Sequence, residues 1–170
     1  MFWIWPHYNY INSLTKWSTE NQLSFNINKC AVLQFKSNST TPESSSYSID
    51  DHRLSNKSSH HDLGIIFSAN LNWSSHYASI ICKAYRSFGL LRRVFRNSCS
   101  CEAKKGLYLS IVRSHLLYCS PLWQPYLIKD IILLERVQRR TSKYILGDYS
   151  SNYKTRLIKL NFHWCIFTNC

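Results

Sequence analysis

The sequence predicts an α+β fold in which a small β/α segment over residues 1–73 is followed by a mainly α-helical module over residues 74–160. Three observations carry that expectation. Short apolar runs of strand length, Cys30 to Phe35 and Leu63 to Phe67, occur before Trp73. From Ser74 onward the apolar residues recur at helical spacing instead. Gly and Pro are scarce, four of each in 170 residues, so little interrupts those periods. A chain of this length buries one moderate core, or one and a half small ones.

Taken in order, Tyr8 to Gln22 reads as a helix with Tyr10, Leu14 and Trp17 along one side. Leu23 to Asn28 leads into the apolar strand at Cys30 to Phe35. A Ser/Thr-rich loop with Pro42 spans Ser37 to Ser46. Tyr47-Ser48-Ile49 forms a short strand turning at Asp50-Asp51, whose side chains bond their own backbone in turns. Asn56 to His61 reads as a polar loop. Leu63 to Phe67 reads as a β-type run whose Gly64 marks close backbone approach. Tyr77, Ile80, Ile81, Ala84, Phe88, Leu91 and Phe95 then define a helix, with Lys83, Arg86, Arg92, Arg93 and Arg96 mainly on its other side. A second helix spans Glu102 to Tyr118, and Pro121 and Pro125 punctuate its exit. A third spans Asp130 to Leu146, with Asp130 at its positive end and Gly147 as its stop. A short fourth runs from Asn152 to Leu160.

Charge is unevenly placed. Up to Trp73, five Lys/Arg balance five acids; from Ser74, sixteen face four, so the whole net charge of +12 lies in the helical module. Such asymmetry favours a polyanionic partner, nucleic acid before an anionic membrane. The apolar opening Phe2 to Trp5 stops at Pro6, far short of a membrane span. Seven cysteines without regular spacing, and no secretory signal, point to reduced thiols in the nucleus or cytoplasm rather than to a secreted disulfide framework. Cys99-Ser100-Cys101 is too closely spaced for a zinc loop, and His163, Cys165 and Cys170 lack a full ligand set, so no metal site is expected.

The sharpest local feature is Leu133-Leu134-Glu135-Arg136-Val137-Gln138-Arg139-Arg140. Arg136, Arg139, Arg140 and Lys143 fall at i, i+3, i+4 and i+7, one face of a helix, beside a largely apolar face of Leu133, Leu134, Val137, Thr141 and Tyr144. Upstream lie Leu107, Tyr108, Val112, Arg113, Leu116, Tyr118, Trp123 and Pro125. In this order and spacing the two blocks resemble the region after the polymerase core of non-LTR (LINE-type, jockey/CR1-like) retrotransposon reverse transcriptases. Further pieces follow the family's order. Trp17 with Leu23, Asn26, Lys29 and Cys30 resembles the end of the palm, and Asp62-Leu63-Gly64-Ile65 resembles the primer-grip hairpin. Leu71, Trp73, His76, Lys83, Ala84, Gly89 and Leu90 resemble the entry to the thumb, and Tyr153, Arg156, Leu157 and Leu160 close the block.

The resemblance implies a partial palm end and primer grip over 1–73, a thumb-like module over 74–160, and a divergent tail over 161–170 that lacks the family's Arg-Arg pair. It implies an RNA or DNA primer–template as partner, with the upstream polymerase segment as a second partner and no membrane. Lys83, Arg86, Arg92, Arg93, Arg136, Arg139, Arg140 and Lys143 would contact phosphates, with Leu63, Gly64 and Ile65 near the primer. The family polymerises with Mg²⁺ held by carboxylates that precede the Trp17 block. Residues 1–16 contain no acid, and Asp50-Asp51 lies too late in the order and lacks a third carboxylate. No catalytic residue and no cofactor is therefore expected in this chain by itself. Two other functions remain open: a free-standing basic helical module that binds nucleic acid, and a translated remnant without function. On the remnant view, Val32, Leu33, Ile65 and Ile66 would be exposed strands prone to edge pairing.

Overall fold

The computed structural model describes residues 7–35, 46–95 and 99–162. The Ser37 to Ser46 loop up to residue 45, Arg96, the apolar opening and the tail from residue 163, with its Cys165 and Cys170, lie outside the described residues. The fold is mixed α+β, and it divides into two compact units, Met1–Asn72 and Trp73–Cys170.

In the first unit, helix α1 (His7–Glu20) is followed by a single 3₁₀ turn at Ile27–Lys29 and strand β1 (Ala31–Leu33). Five short strands complete it: β2 (Ser48–Ile49), β3 (His52–Arg53), β4 (Ser55–Lys57), β5 (Ser59–Asp62) and β6 (Ile65–Ser68). They pair two by two. β1 runs parallel to β4 with Ala31 opposite Ser55, while β2–β3 and β5–β6 are antiparallel hairpins. Both hairpins turn in two residues with positive φ, Asp50 (47°) and Asp51 (62°) in one, Leu63 (46°) and Gly64 (85°) in the other. Such primed turns match the right-handed twist of the strands they join. The aspartates therefore serve the turn, as their residue type implies.

Three expectations need correction in this unit. Asn56 to His61 is not a loop: it supplies parts of β4 and β5, although Ser, Asn and His are poor strand formers. Pairing overrides propensity here, because the two-residue turn fixes Asp62 opposite Ile65 and aligns His60 with Phe67. Leu63 and Gly64 are turn rather than strand, and the glycine supplies a positive φ there. The strands are also not laid bare. Ile65 is buried, and Val32, Leu33 and Ile66 are half-covered. It is α1 whose apolar side faces outward, with Tyr10, Leu14 and Trp17 exposed while Ser18 is buried.

The second unit is a helical bundle. Helix α2 (Ser74–Val94) buries Tyr77, Ile80, Ala84, Phe88 and Leu91, one stripe at 3-4-4-3 spacing. The expected helix over Glu102 to Tyr118 is one rod interrupted in its middle: α3 (Cys101–Leu107), a π turn (Tyr108–Val112), then α4 (Arg113–Leu117). Ser100 caps it, its hydroxyl accepting from the Ala103 N–H at 3.2 Å. Tyr108, Val112 and Leu116, spaced by four, all reach the core. Two of them, Tyr108 and Val112, bound the π turn itself. Pro121 starts the short α5 (Ser120–Trp123), and Cys119 before it takes φ 55°.

Helix α6 (Ile128–Leu146) begins two residues before the expected Asp130 and ends at Gly147, whose φ of 63° forms the left-handed stop. Helix α7 (Tyr153–Leu160) follows. Trp123 anchors the bundle: it is fully buried, its indole N–H donates to the Tyr118 carbonyl, and its own carbonyl accepts from the Tyr77 hydroxyl, both at 3.0 Å. Leu134, Val137 and Ile145 of α6 and Leu157 and Leu160 of α7 join the same core, with Phe162 beyond them.

Candidate nucleic-acid interface

The stripe on α6 follows from its periodicity. Leu134, Val137, Gln138, Thr141, Ser142 and Ile145 are buried, so the opposite half of the helix carries Arg136, Arg139 and Arg140 exposed and Lys143 half-exposed. Leu133, expected on the apolar face, sits at its border and is 39% exposed. Two of the guanidinium groups lie over aromatic rings of neighbouring helices. Arg140 is 5.8 Å from the Tyr85 ring of α2, and Arg139 is 4.7 Å from the Tyr153 ring of α7. A ring face steadies a cation without neutralising it and leaves its N–H edge for another acceptor. The positive surface thus spreads from α6 onto both of its neighbours.

On α2 the expected basic residues divide. Arg92 lies 5.8 Å from the Phe88 ring, and Phe88 stacks edge-on with Tyr144 of α6, so Arg92 borders the α2–α6 seam with Arg140. Arg86 and Arg93, seven apart, point outward along one line. Lys83 stands nine residues before Arg92, which is two and a half turns and therefore the opposite flank. Its flank is that of Ser87, whose hydroxyl pairs with His115 of α4 at 3.1 Å. The fold accordingly brings Arg92 together with the α6 stripe and leaves Lys83 apart from it.

The seam itself is fixed by Tyr144. Its hydroxyl donates to the Phe95 carbonyl (2.7 Å), just past the end of α2, and lies 3.3 Å from the Leu91 carbonyl, which also accepts from the Phe95 N–H. Because Tyr85 meets Arg140 and Leu91 meets Tyr144, the two helices run in the same sense. Desolvation raises the Tyr144 phenol above its ordinary value, which keeps it a donor.

Sequence reasoning missed two cations of α3. Lys104 lies 5.2 Å from the Tyr144 ring and Lys105 lies 5.5 Å from the Phe162 ring. Nothing local in Glu102-Ala103-Lys104-Lys105 signals this, since the rings are about 40 and 57 positions away in the chain. Lys16 pairs with Glu20 (3.9 Å) and Lys159 with Asp148 (3.4 Å), and neither pair engages the stripe.

The one acid within the Leu133–Arg140 segment is turned to interior work. Glu135 accepts from the Tyr153 hydroxyl and from the Gln138 amide (3.3 Å), while the Gln138 carbonyl oxygen accepts from the Tyr108 hydroxyl (3.1 Å). The Gln138 amide also reaches the Tyr153 hydroxyl at 3.3 Å. Burial raises both phenols far above their ordinary value, with the Glu135 hydrogen bond and charge adding to the effect at Tyr153. Both therefore stay protonated donors, and one network ties α6 to the π turn and to α7. Arg156, closing the block, is buried, and its guanidinium donates to the Ser142 hydroxyl (3.3 Å) and the Ser151 carbonyl. It is part of the interior rather than of the basic surface.

In the first unit, Leu63 stands at the tip of the β5–β6 hairpin, 80% exposed, with Gly64 beside it, whereas Ile65 is only 3% exposed. A ligand approaching this tip meets Leu63 and Gly64 but not the Ile65 side chain. The described residues include no group of three His, Cys, Asp or Glu able to hold a metal ion, and Asp50 and Asp51 at a hairpin turn do not fit a two-metal site. No described helix is long and apolar enough to cross a membrane. The described cysteines, Cys30, Cys82, Cys99, Cys101 and Cys119, are free thiols. No protein family, curated protein or solved structure matches the chain.

Proposed function

We propose that the chain is the palm-end and thumb portion of a non-LTR retrotransposon reverse transcriptase, and that it holds a primer–template duplex by its phosphates. The reading rests on the resemblance of its ordered motifs, and one structural observation supports it above others. Arg136, Arg139, Arg140 and Lys143 form an outward stripe, extended by Arg92 and Lys104, with no carboxylate partner among the described residues. A row of uncompensated cations repels itself and is relieved by a polyanion. Phosphate contacts of this kind position a duplex without reading its sequence. The role proposed for this chain is holding, in the nucleus or cytoplasm and beside an upstream polymerase segment that would supply the metal-binding carboxylates.

The test is the salt dependence of duplex binding, followed by fluorescence anisotropy. The variant with Arg136, Arg139, Arg140 and Lys143 all changed to Gln should flatten the log–log salt slope by up to ~3.6, at about 0.9 per lost phosphate contact. Wild-type affinity that stays constant from low to moderate salt would refute the proposal. A second reading, a free-standing basic helical module, is favoured by the core of the second unit, which is assembled from residues 77–162 alone. Removing residues 1–72 separates the two, since a self-sufficient module keeps both fold and binding.

A further inference from the structure

We infer that one end of the helical unit docks onto the surface of an anionic phospholipid bilayer, through exposed apolar side chains that adjoin a row of cations. The apolar part consists of Tyr118, Leu122, Tyr126, Leu127, Ile128 and Ile132, which are 56%, 49%, 81%, 39%, 75% and 49% exposed. All belong to one stretch, residues 118–132, and local geometry turns them outward. Trp123 and Pro125 are buried, so in the extended segment that joins α5 to α6 the side chains of Gln124 and Tyr126 face solvent. The Trp123 indole ties that segment back to the Tyr118 carbonyl at 3.0 Å, which keeps Tyr118 beside it. On α6 the interior takes Asp130, Leu134 and Val137, which leaves Ile128 and Ile132, four apart, on the outward side. From Ile132 the same line continues at steps of four, three and four through Arg136, Arg139 and Lys143. The outward line of α6 is therefore aliphatic where the helix begins and cationic beyond.

A run of exposed apolar groups of this size marks a contact with a partner or a membrane. Charge decides between the candidates. From Arg113 to Leu146 the acids are Asp130 and Glu135. Asp130 is 8% exposed, and Glu135 is held by the Tyr153 hydroxyl and the Gln138 amide. Lys129, Arg136 and Arg139 are exposed, so this end presents positive charge beside its apolar groups. A second copy would bring the same cations, and a net charge of +12, against them. A nucleic-acid backbone would suit the cations but offers nothing to Leu122, Ile128 and Ile132. An anionic leaflet meets both needs: its headgroups take the Lys and Arg side chains, and the boundary of its acyl region takes the aliphatic groups. Tyrosine is a side chain that settles at that boundary, its ring toward the acyl chains and its hydroxyl toward the headgroups, which suits Tyr118 and Tyr126. No described helix is long and apolar enough to cross a membrane, so the contact is peripheral, with the apolar groups sunk about 5–10 Å. This partner lies outside the primer–template reading and departs from the absence of a membrane that the resemblance implies.

The experiment is co-sedimentation of the full chain with vesicles of phosphatidylcholine alone and of phosphatidylcholine with about 30% phosphatidylserine, near physiological salt. Binding to the anionic vesicles should be at least about tenfold tighter, since each cation near such a surface contributes about fivefold. Adsorption by charge alone is open to any strongly basic chain, so the apolar groups carry the decision. Tyr126→Ser/Ile128→Ser should weaken binding to the anionic vesicles about tenfold or more while leaving the urea midpoint unchanged, both side chains being exposed. Leu122→Ser is an independent second variant with the same expected direction. Tyr126→Trp should gain fluorescence that brominated acyl chains quench more than they quench the wild type. Equal binding of wild type and the double Ser variant, or no preference for phosphatidylserine, overturns the proposal. A dimer in analytical ultracentrifugation that the double Ser variant abolishes gives the surface to a second copy and overturns it as well. These variants touch none of Arg136, Arg139, Arg140 and Lys143, so duplex binding by the stripe stands or falls separately.

Discussion

Replacing Gln138 with Leu tests whether the helical unit is held by a polar network as well as by its apolar core. Gln138 is 1% exposed, and its carbonyl oxygen is the acceptor 3.1 Å from the hydroxyl of Tyr108, which is fully buried. Leucine fills a similar volume, so the cavity contribution is small and the loss is polar. The Tyr108 hydroxyl, kept protonated by burial, is left without that acceptor, at a cost of about 1–3 kcal/mol. The two amide hydrogen bonds to Glu135 and Tyr153 are long, 3.3 Å each, and add about 0.5–1 kcal/mol apiece. A total near ~3 kcal/mol is a large part of the 5–15 kcal/mol that stabilises a typical domain. Tyr108→Phe removes the stranded donor, so the double variant should recover about 1–2 kcal/mol relative to the sum of the single effects. Urea unfolding followed by tryptophan fluorescence reads all three, because Trp123 lies in the same core. A Gln138→Leu effect below about 0.5 kcal/mol, or strict additivity of the pair, would refute the network.

Two further predictions concern a hairpin turn and the connection between α6 and α7. Leu63 holds a positive φ with its side chain exposed, so Leu63→Asn should stabilise the β5–β6 hairpin by about 0.5–1 kcal/mol, seen as slower amide exchange in those strands; faster exchange would show that the leucine is needed where it stands. The Asp148 carboxyl is held well below the usual aspartate range, first by hydrogen bonding from Ser151 and then by Ser150 and Lys159. Its stabilising contribution is therefore fully present above the unfolded value of about 3.9 and is lost as the pH falls below it. The stability difference between wild type and Asp148→Asn should be flat above about pH 5 and shrink below pH 4, as read by urea unfolding and by the carboxyl ¹³C titration; a difference constant down to pH 2 would contradict a stabilising role for these hydrogen bonds.

Much of the helical unit is legible in the sequence because burial there follows a 3.6-residue period. Tyr77, Ile80, Ala84, Phe88 and Leu91 announce α2, and Gly147 announces the end of α6, from neighbours within a few positions. The strands are less legible. Ser55 to Lys57 and Ser59 to Asp62 have neither apolar alternation nor strand propensity, and they become strands because β1 and β6 need partners. The π turn at Tyr108 to Val112 is equally silent, since a spacing of four is that of an ordinary helix face.

The candidate interface divides in the same way. Sequence by itself determined that α6 carries Arg136, Arg139, Arg140 and Lys143 on one face, because a helical period and a charge pattern are both local properties. It also placed the whole net charge in the helical module. Only the tertiary structure decided that Arg92 joins this stripe while Lys83 does not, that Lys104 reaches the Tyr144 ring of α6, and that Glu135 and Gln138 work in the interior. Which flank a side chain takes depends on rings and carbonyls tens of residues away, and distance along the chain carries no record of those meetings.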